Sequence, residues 1–221
     1  MSDFPKEERN QVRRMPKRGQ YDKETIYPII DEALLCHVGF VDNSVEGGQP
    51  FVIPTIHARR GDSIILHGAK ASRLLKHLHA GNPVCITMTL LDGLVLARSV
   101  FHSSMNYRSV VLFGSGRALE NEDEKMAALE VLTEHLARGR WADARLPTPQ
   151  ELAATTVIEV EIESASAKVR TGPAGDDEED YALPIWAGVV PLQQQALPPI
   201  NDPRLLDGVV IPGYAAAYSR I

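Results

Sequence analysis

The chain has 221 residues, 44% hydrophobic and 24% charged, and 23 Lys and Arg stand against 29 Asp and Glu for a formal net charge of −6. A chain of that length buries roughly 70% of its unfolded surface in one core and needs no disulfide or metal to hold it together. The acidic balance, with no long basic stripe, excludes a general nucleic-acid binder and leaves room for a local basic pocket.

The first twenty residues are charged and unpatterned, and read as an arm that is loose or laid over a partner surface; residues 21–221 read as one domain with an irregular C-terminal tail. The basic start has no apolar segment behind it, so it is not a secretory signal, and a cytoplasmic location is expected. Asp22 or Thr25 can cap a short helix to Ala33, with Ile26, Ile29 and Ile30 inward and Pro28 in its first turn or kinking it. Runs rich in Val, Ile, Leu and Phe predict strands at Leu34 to Val41, Phe51 to Ala58 and Ser63 to His67, with turns at Asp42-Asn-Ser and Arg60-Gly-Asp. Cys36 and Cys85 sit in apolar runs without CxxC spacing, which favours buried thiols in a reducing compartment.

A helix is expected over Ala69 to Ala80, with Ala71, Leu74, Leu75 and Leu78 on one stripe and Gly81-Asn-Pro83 ending it. Pro83 to Leu90 and Leu94 to Phe101 flank Leu91-Asp-Gly93 as a hairpin would, and Ser109 to Leu119 is the next strand. Val84 to Val100 is the most apolar stretch, but Asp92, Gly93 and Arg98 break it short of the roughly 20 residues of a membrane span. Asn121-Glu-Asp-Glu124 resembles a capping box and opens a helix to about Ala137, and Thr148-Pro-Gln-Glu151 opens a brief one to Ala154. Thr155 to Ile162 alternates apolar and acidic residues as a strand with one wet face, and Ala165 to Arg170 could pair with it. The acidic run Asp176 to Asp180 is read as a solvated loop. Six or seven strands in consecutive meander order, with helices between some of them and no βαβ alternation, point to a mainly β fold, an antiparallel barrel with peripheral helices.

The chemistry concentrates in two places. Between Ile64 and Leu78 a strand turns through His67, Gly68 and Ala69 into a helix start carrying Lys70, Ser72 and Arg73. Backbone N–H groups, the helix dipole, a hydroxyl and a guanidinium fork make an anion seat. Some thirty residues on, Asn106-Tyr107-Arg108-Ser109 supplies a second arginine and hydroxyl beside an aromatic ring. Plainer readings stand beside these. Lys70 can simply face solvent, Ser72 can cap the helix, Arg73 can pair with Asp62 or Glu32, His67 can be a satisfied interior histidine, and Arg108 can be an interface ion pair. His77, His79, His102 and His135 have no carboxylate or cysteine at ligand spacing, so no metal site is expected. Ser103 and Ser104 form no nucleophile elbow, and no catalytic acid or base is assigned.

Together, Tyr21-Asp, Ile53-Pro54-Thr55, Leu66-His-Gly-Ala69 with Ser72-Arg73, the run Arg98-Ser-Val-Phe-His-Ser-Ser-Met-Asn-Tyr-Arg-Ser-Val110, Phe113-Gly114, Glu124-Lys125, Ser166-Ala-Lys-Val-Arg170 and Pro184-Ile-Trp-Ala-Gly-Val-Val-Pro191 resemble the pyridoxamine 5′-phosphate oxidase-like flavoproteins. More narrowly, the pattern is similar to the branch containing nitroimidazole-resistance proteins, over about Arg18 to Leu192. The resemblance implies a split-barrel homodimer with FMN at the subunit interface. His67, Gly68, Ala69, Lys70, Ser72 and Arg73 would then hold the phosphate. Ile53, Pro54 and Thr55 would run along the flavin ring, Asn106 to Ser109 would close the site from either subunit, and Trp186 would lie over the isoalloxazine. It implies an FMN-dependent oxidoreductase passing electrons to a small molecule, a nitro-aromatic being one candidate acceptor and NAD(P)H one candidate donor, with neither nucleic acid nor membrane as partner. Oxidation of pyridoxamine phosphate itself fits less well, because the tail offers only Arg204 and Arg220 for a substrate phosphate. The alternative is a non-catalytic flavin- or haem-binding split barrel.

Overall fold

A computed structural model describes residues 3–219; Arg220 lies outside them. The strands are β1 (Gly19–Gln20), β2 (Leu35–Asp42), β3 (Gln49–Ile56), β4 (Ala58–Arg60), β5 (Ser63–Ala69), β6 (Pro83–Leu96), β7 (Ser104–Ala118), β8 (Thr155–Glu161), β9 (Ser164–Arg170) and β10 (Gly188–Pro191). The helices are α1 (Lys23–Glu32), α2 (Arg73–His79), α3 (Glu122–Leu136), α4 (Arg140–Asp143), α5 (Pro149–Ala154) and α6 (Gly213–Ala216). One antiparallel path runs β3-β2-β6-β7-β8-β5-β4, with β9 on β7 and β1, and β10 on β6. This is the mainly β barrel with outer helices that the strand spacing implied.

Inward residues alternate along the strands as a curved half-buried sheet requires. Val38, Phe40, Ile64, Leu66, Ile86, Met88, Val110, Leu112, Ile158 and Val160 fill the interior, which Ile26, Ile29 and Ile30 of α1 and Leu74, Leu75 and Leu78 of α2 close. Each such aliphatic side chain contributes about 1.5–3 kcal/mol on burial. A second cluster, Ala58, Ile65, Leu119, Ala128, Leu132 and Val157, seats α3 on the outside.

The caps follow the local sequence. Asp22 accepts from the Thr25 N–H at 2.7 Å, Asn121 from the Glu124 N–H at 3.0 Å, and Thr148 and Glu151 form a reciprocal capping box with Pro149 at the first helical position. Pro28 lies inside α1.

Several expectations are corrected, the consecutive meander order among them, since β6 lies between β2 and β7, and β8 pairs with β5. The Leu91-Asp-Gly93 segment does not turn: β6 runs straight through it, with a register shift between Leu91 and Gly93, and the chain reverses at 97–103. The shift turns the Asp92 side chain toward Arg108, an ion pair that a two-residue hairpin would forgo. Helix α2 starts at Arg73 rather than Ala69, because Ser72 takes the capping position. Strand β9 pairs with β7 and β1 rather than with β8. The two successive strands share β7 instead, β8 against Gly116–Ala118 and β9 against Tyr107–Phe113. Gly114 makes that corner possible, since a Cβ there would lie 1.9 Å from the Glu161 carbonyl oxygen.

The acidic run is not wholly solvated either. The Asp176 carboxylate is shielded from water and accepts from the Arg98 and Ser99 N–H groups at 3.2 and 3.1 Å and from Arg98 Nη1 at 3.2 Å, tying the two long loops together. The N-terminal arm lies on its own barrel. Phe4 is buried against Tyr27, and Asn10 donates to the Pro5 and Ala165 carbonyls at 2.8 and 3.0 Å.

Candidate functional site

The barrel is split at one place, and the register shows where. Strands β4 and β5 form a tight hairpin with Ala58 opposite Ile65 and Arg60 opposite Ser63. Continuing that register would set Ile56 opposite His67 and Pro54 opposite Ala69. Instead β3 leaves after His57 and pairs along its whole length with β2, from Leu35 opposite Ile56 to Asp42 opposite Gln49. Two edges therefore diverge from the hairpin, β3 from Ile56 back to Phe51 and β5 from Leu66 to Ala69, and neither has a second strand among the described residues. Ile53-Pro54-Thr55 and His67-Gly68-Ala69 are thus the two walls of one wedge. Unpaired backbone donors and acceptors along such walls call for a polar ligand or water. Pro54, which has no N–H, is tolerated because β3 is an edge strand.

Helix α2 lies across the open end of the wedge. The Arg73 guanidinium sits 4.2 Å from the centre of the Phe51 ring on β3, and the Gly68 Cα faces Leu75, where a Cβ would come within 3.1 Å of Cδ1. Arg73 is exposed, and its nearest carboxylate, Asp42, is 4.0 Å away. The Ser72 hydroxyl accepts only a long bond, 3.5 Å, from the Leu75 N–H. Both groups are therefore open to an anion arriving at the wedge. Arg73 also lines a polar cleft of about 600 Å³ with Lys76, His77, Asn82 and the Asp42–Ser44 turn. His67 is half-buried, its Nδ1 has no partner, and burial pushes its pKa down, so the ring is neutral near pH 7.

Lys70 falls on the other side of α2. It lines a second cleft, of about 370 Å³, with Lys76, His79 and Lys125 above an apolar floor of Leu75, Leu119 and Val157. The single anion seat read from the sequence is therefore divided between two clefts that share Lys76, each with basic side chains and one carboxylate, Asp42 in the first and Glu120 in the second. That residue was missed, although its spacing from Arg73 puts both on one face of the helix.

The Asn-Tyr-Arg-Ser cluster is not brought to this wedge. Residues 106–109 lie on β7, separated from β3 by β2 and β6, a displacement of about 14 Å at the usual strand spacing. Asn106 is buried, donates to the Gly172 carbonyl at 3.1 Å and accepts from Arg170. Tyr107 stands between Leu91 and Arg170. Arg108 is no free cation: it is bound by Glu32 on α1 and, at 2.8–3.3 Å, by Asp92 at the register shift, and these bonds hold its pKa above the ordinary arginine value. The ion pair is internal to the chain. Ser109 donates to the Lys168 carbonyl at 3.3 Å and lines a small cleft under the arm residues Arg9 to Arg14. Trp186 is 65% exposed and folds over Gly188 beside β10, away from the wedge of its own chain.

A family described as pyridoxamine 5′-phosphate oxidase matches residues 22–169. The chain belongs to the pyridoxamine 5′-phosphate oxidase-like family. Among solved structures, this family member is similar to the flavocytochrome Anf3 from Azotobacter vinelandii, with 42% identity over 97% of both chains and a TM-score of 0.88. A FAD and heme binding protein from Mycobacterium smegmatis is 35% identical over 89% of this chain and 95% of that one, at a TM-score of 0.84. A putative 5-nitroimidazole antibiotic resistance protein from Bacteroides thetaiotaomicron is 27% identical over 68% of this chain and 86% of that one, at 0.58. Comparison with curated proteins gives no match.

Two further features of this family member bear on ligands. Burial pushes the Cys36 thiol up to about 12, which keeps it protonated, while Cys85, opposite Gly39, lies on the outer face of the same sheet. His37 stands on that outer face with no hydrogen bond or ion pair among the described residues, between the exposed Leu35 and Val41. A period-two reading of Leu35 to Val41 would have found it. Among the described residues no group of three or more His, Cys, Asp or Glu is placed to hold a metal ion, and no helix is long and apolar enough to cross a membrane.

Proposed function

We propose that the protein binds a flavin in the wedge between β3 and β5 and passes electrons through it to a small acceptor, as a homodimer. The observation that carries this reading is the pair of unpartnered strand edges, Phe51 to Ile56 and Leu66 to Ala69, ending at the weakly held hydroxyl of Ser72 and the open guanidinium of Arg73. A flavin ring presents carbonyls and ring nitrogens that backbone edges can bond, and its ribityl phosphate is the anion that Ser72 and Arg73 can receive. The neutral His67, with a buried unpartnered Nδ1, can bond the ribityl chain or phosphate.

When bound, the flavin supplies two-electron chemistry at N5. The protein's part is to orient the ring, exclude water from one face and place charge near the phosphate. No side chain is needed as acid or base. The residues described account for isoalloxazine, ribityl and one phosphate, the portion that FMN and FAD share. FMN is the cofactor that the sequence resemblance implies; FAD is the flavin of the mycobacterial relative. The partner subunit supplies what this chain keeps away from its own wedge, namely Tyr107 and Trp186, while Arg108 stays bound to Glu32 and Asp92 of its own chain. A nitro-heterocycle is the acceptor class to screen first, from likeness to the Bacteroides protein.

The test is direct. The purified protein should carry flavin absorbance, release FMN or FAD on denaturation for chromatographic identification, and bleach anaerobically with NADH or NADPH. A colourless protein whose melting temperature does not respond to added FMN or FAD would sink the reading, because a ligand specific to the native state must stabilise it.

A haem in the same chain is the second reading, favoured by 42% identity to a flavocytochrome. His37 offers an unengaged imidazole on an apolar sheet face and would be the residue to hold a haem iron there, which would supply one-electron chemistry. A Soret band in the purified protein supports it, and its absence after haem supplementation during expression removes it.

A further inference from the structure

Residues 192–212 carry eight large aliphatic side chains and three charges, the reverse of a solvated linker. The segment is tied down at both ends. Upstream, β10 pairs with β6 and the Leu192 N–H donates to the Asp92 carbonyl at 3.0 Å. Downstream, the Tyr214 hydroxyl donates to Asp143 at 2.6 Å and accepts from Arg140 at 2.9 Å, and the Tyr218 hydroxyl donates to the Leu136 carbonyl at 2.9 Å. Between these anchors its hydrogen bonds among the described residues are internal, at the turns 202–205 and 206–209. Pro198, Pro199, Pro203 and Pro212 stiffen it. Leu197, Ile200, Leu206 and Val210 are 80%, 95%, 76% and 80% exposed, so this is an arch whose four outermost apolar side chains have little of their own chain beneath them.

The surface area says how much is uncovered. The chain exposes 13,783 Å², whereas a compact protein of 24.3 kDa exposes about 10,000 Å². The excess, about 3,800 Å², is more than the roughly 1,000–2,500 Å² that each partner of an obligate dimer hides. A second uncovered apolar surface lies on the same molecule, the outer face of β3-β2-β6. There Leu35, Val41 and Leu91 are exposed and Val52 is 67% exposed, around Pro54 of the wedge wall. Neither surface carries the charge that would suit a nucleic acid or an anionic membrane.

We infer that the 192–212 arch is an exchanged clasp: in a twofold dimer each copy lays it over the outer β3-β2-β6 face of the other and so covers the outer side of the wedge. Two complementary apolar surfaces on one chain satisfy each other reciprocally about a twofold axis, which closes the assembly at two copies. This deepens the dimer reading of the flavin site, and the wedge stays open to water on its β3 side until the partner's arch is in place.

The test is the variant Leu197→Ser/Ile200→Ser/Leu206→Ser/Val210→Ser, which keeps both anchors and touches no core residue. Sedimentation velocity should show the wild type at twice 24.3 kDa, and the variant as a folded monomer or with a dimer dissociation constant raised about 100-fold. Hydrogen exchange should find 192–212 protected in the wild type and open in the variant. A variant that remains as dimeric as the wild type overturns the clasp while leaving the flavin reading intact. So does a wild-type monomer, or a wild type whose arch is protected only on adding lipid vesicles. A colourless dimer that the variant dissociates supports the clasp and removes the flavin reading.

Discussion

Arg73 and Arg108 are both flavin-site candidates in the sequence, and the structure gives them different surroundings, whose consequences one crossed experiment separates. Arg108 joins α1 to the register shift in β6 through Glu32 and Asp92, with all three side chains about one-fifth to one-third exposed. A fully exposed ion pair contributes about 0.2–1 kcal/mol. Two partly sheltered ones sharing a guanidinium, whose loss also leaves two carboxylates facing each other, amount to about 2 kcal/mol. For a domain of this length that lowers the melting temperature by about 4–8 °C. Arg108→Met should therefore lose that much in the flavin-free protein, and flavin affinity measured at a temperature where it is folded should change less than threefold. Arg73 has one carboxylate at 4.0 Å and an aromatic ring beneath it, so Arg73→Ala should move the flavin-free melting temperature by less than 2 °C. A charge-assisted bond to phosphate contributes about 1.5–3 kcal/mol. Its exposure trims this to the lower end, about a tenfold weaker flavin in fluorescence titration, and more salt should shrink the difference. If Arg108→Met loses flavin tenfold at unchanged stability, or Arg73→Ala leaves affinity untouched, the division of duties is wrong.

Gly114→Ala puts a Cβ 1.9 Å from a backbone carbonyl that can move only with the β8–β9 corner, so it should cost about 3 kcal/mol or more by chemical denaturation. Gly61→Ala, at φ +60° with open space around it, should cost only about 1 kcal/mol; equal losses would show that the corner is not tight. Burial lowers the His67 pKa, so between pH 6.5 and its folded value the unfolded chain binds the extra proton and stability falls as pH falls through that window. His67→Gln should flatten that part of the stability curve, and an NMR titration of the wild-type ring with a midpoint at or above 6.5 would refute the assignment. Burial pushes the Asp176 carboxyl up, but the Ser99 and Arg98 N–H groups and the Arg98 guanidinium outweigh it and hold its pKa below the ordinary aspartate value. The loop clamp is therefore present above about pH 4 and lost below it. Asp176→Asn should make residues 97–103 and 171–182 susceptible to limited proteolysis at neutral pH, and unchanged cleavage would show that the clamp holds nothing.

Much of this architecture was legible because it rests on local rules. The caps at Asp22, Asn121 and Thr148 and the apolar periodicity of α1 and α2 each have a cause within a few residues. What failed needed information from far away. Leu91-Asp-Gly93 carries hairpin chemistry, yet Asp92 is claimed by Arg108, sixteen residues on, and the strand continues. Ala165 to Arg170 has the pattern of a partner for β8, but Gly114 lets β7 accept both strands in series. In the site, Ile53–Thr55 and His67–Ala69 stand out as residues in the sequence, while the register that sets them as two edges of one wedge lies beyond any single window. Lys70 and Arg73, three apart, were grouped as one seat, though the helix that starts between them at Ser72 sends them to different clefts.

The same separation bears on whether one chain can make a finished site. In an antiparallel barrel the distance between strands is set by pairing, and β7 cannot approach β3 without displacing β2 and β6, which the buried Val38, Phe40, Ile86 and Met88 hold in place. The Asn106–Ser109 segment and the exposed Trp186 can therefore meet a wedge only across an interface. The uncovered β3-β2-β6 face and the uncovered arch are the two surfaces that such an interface would consume. On this view flavin affinity and dimer affinity are coupled: what weakens the contact between copies opens the wedge to water, and flavin in the wedge tightens the contact. The coupling is reciprocal, so the factor by which saturating flavin strengthens the dimer must equal the factor by which dimerisation strengthens flavin binding. Measuring both in one buffer decides whether the wedge is shared between copies or belongs to one.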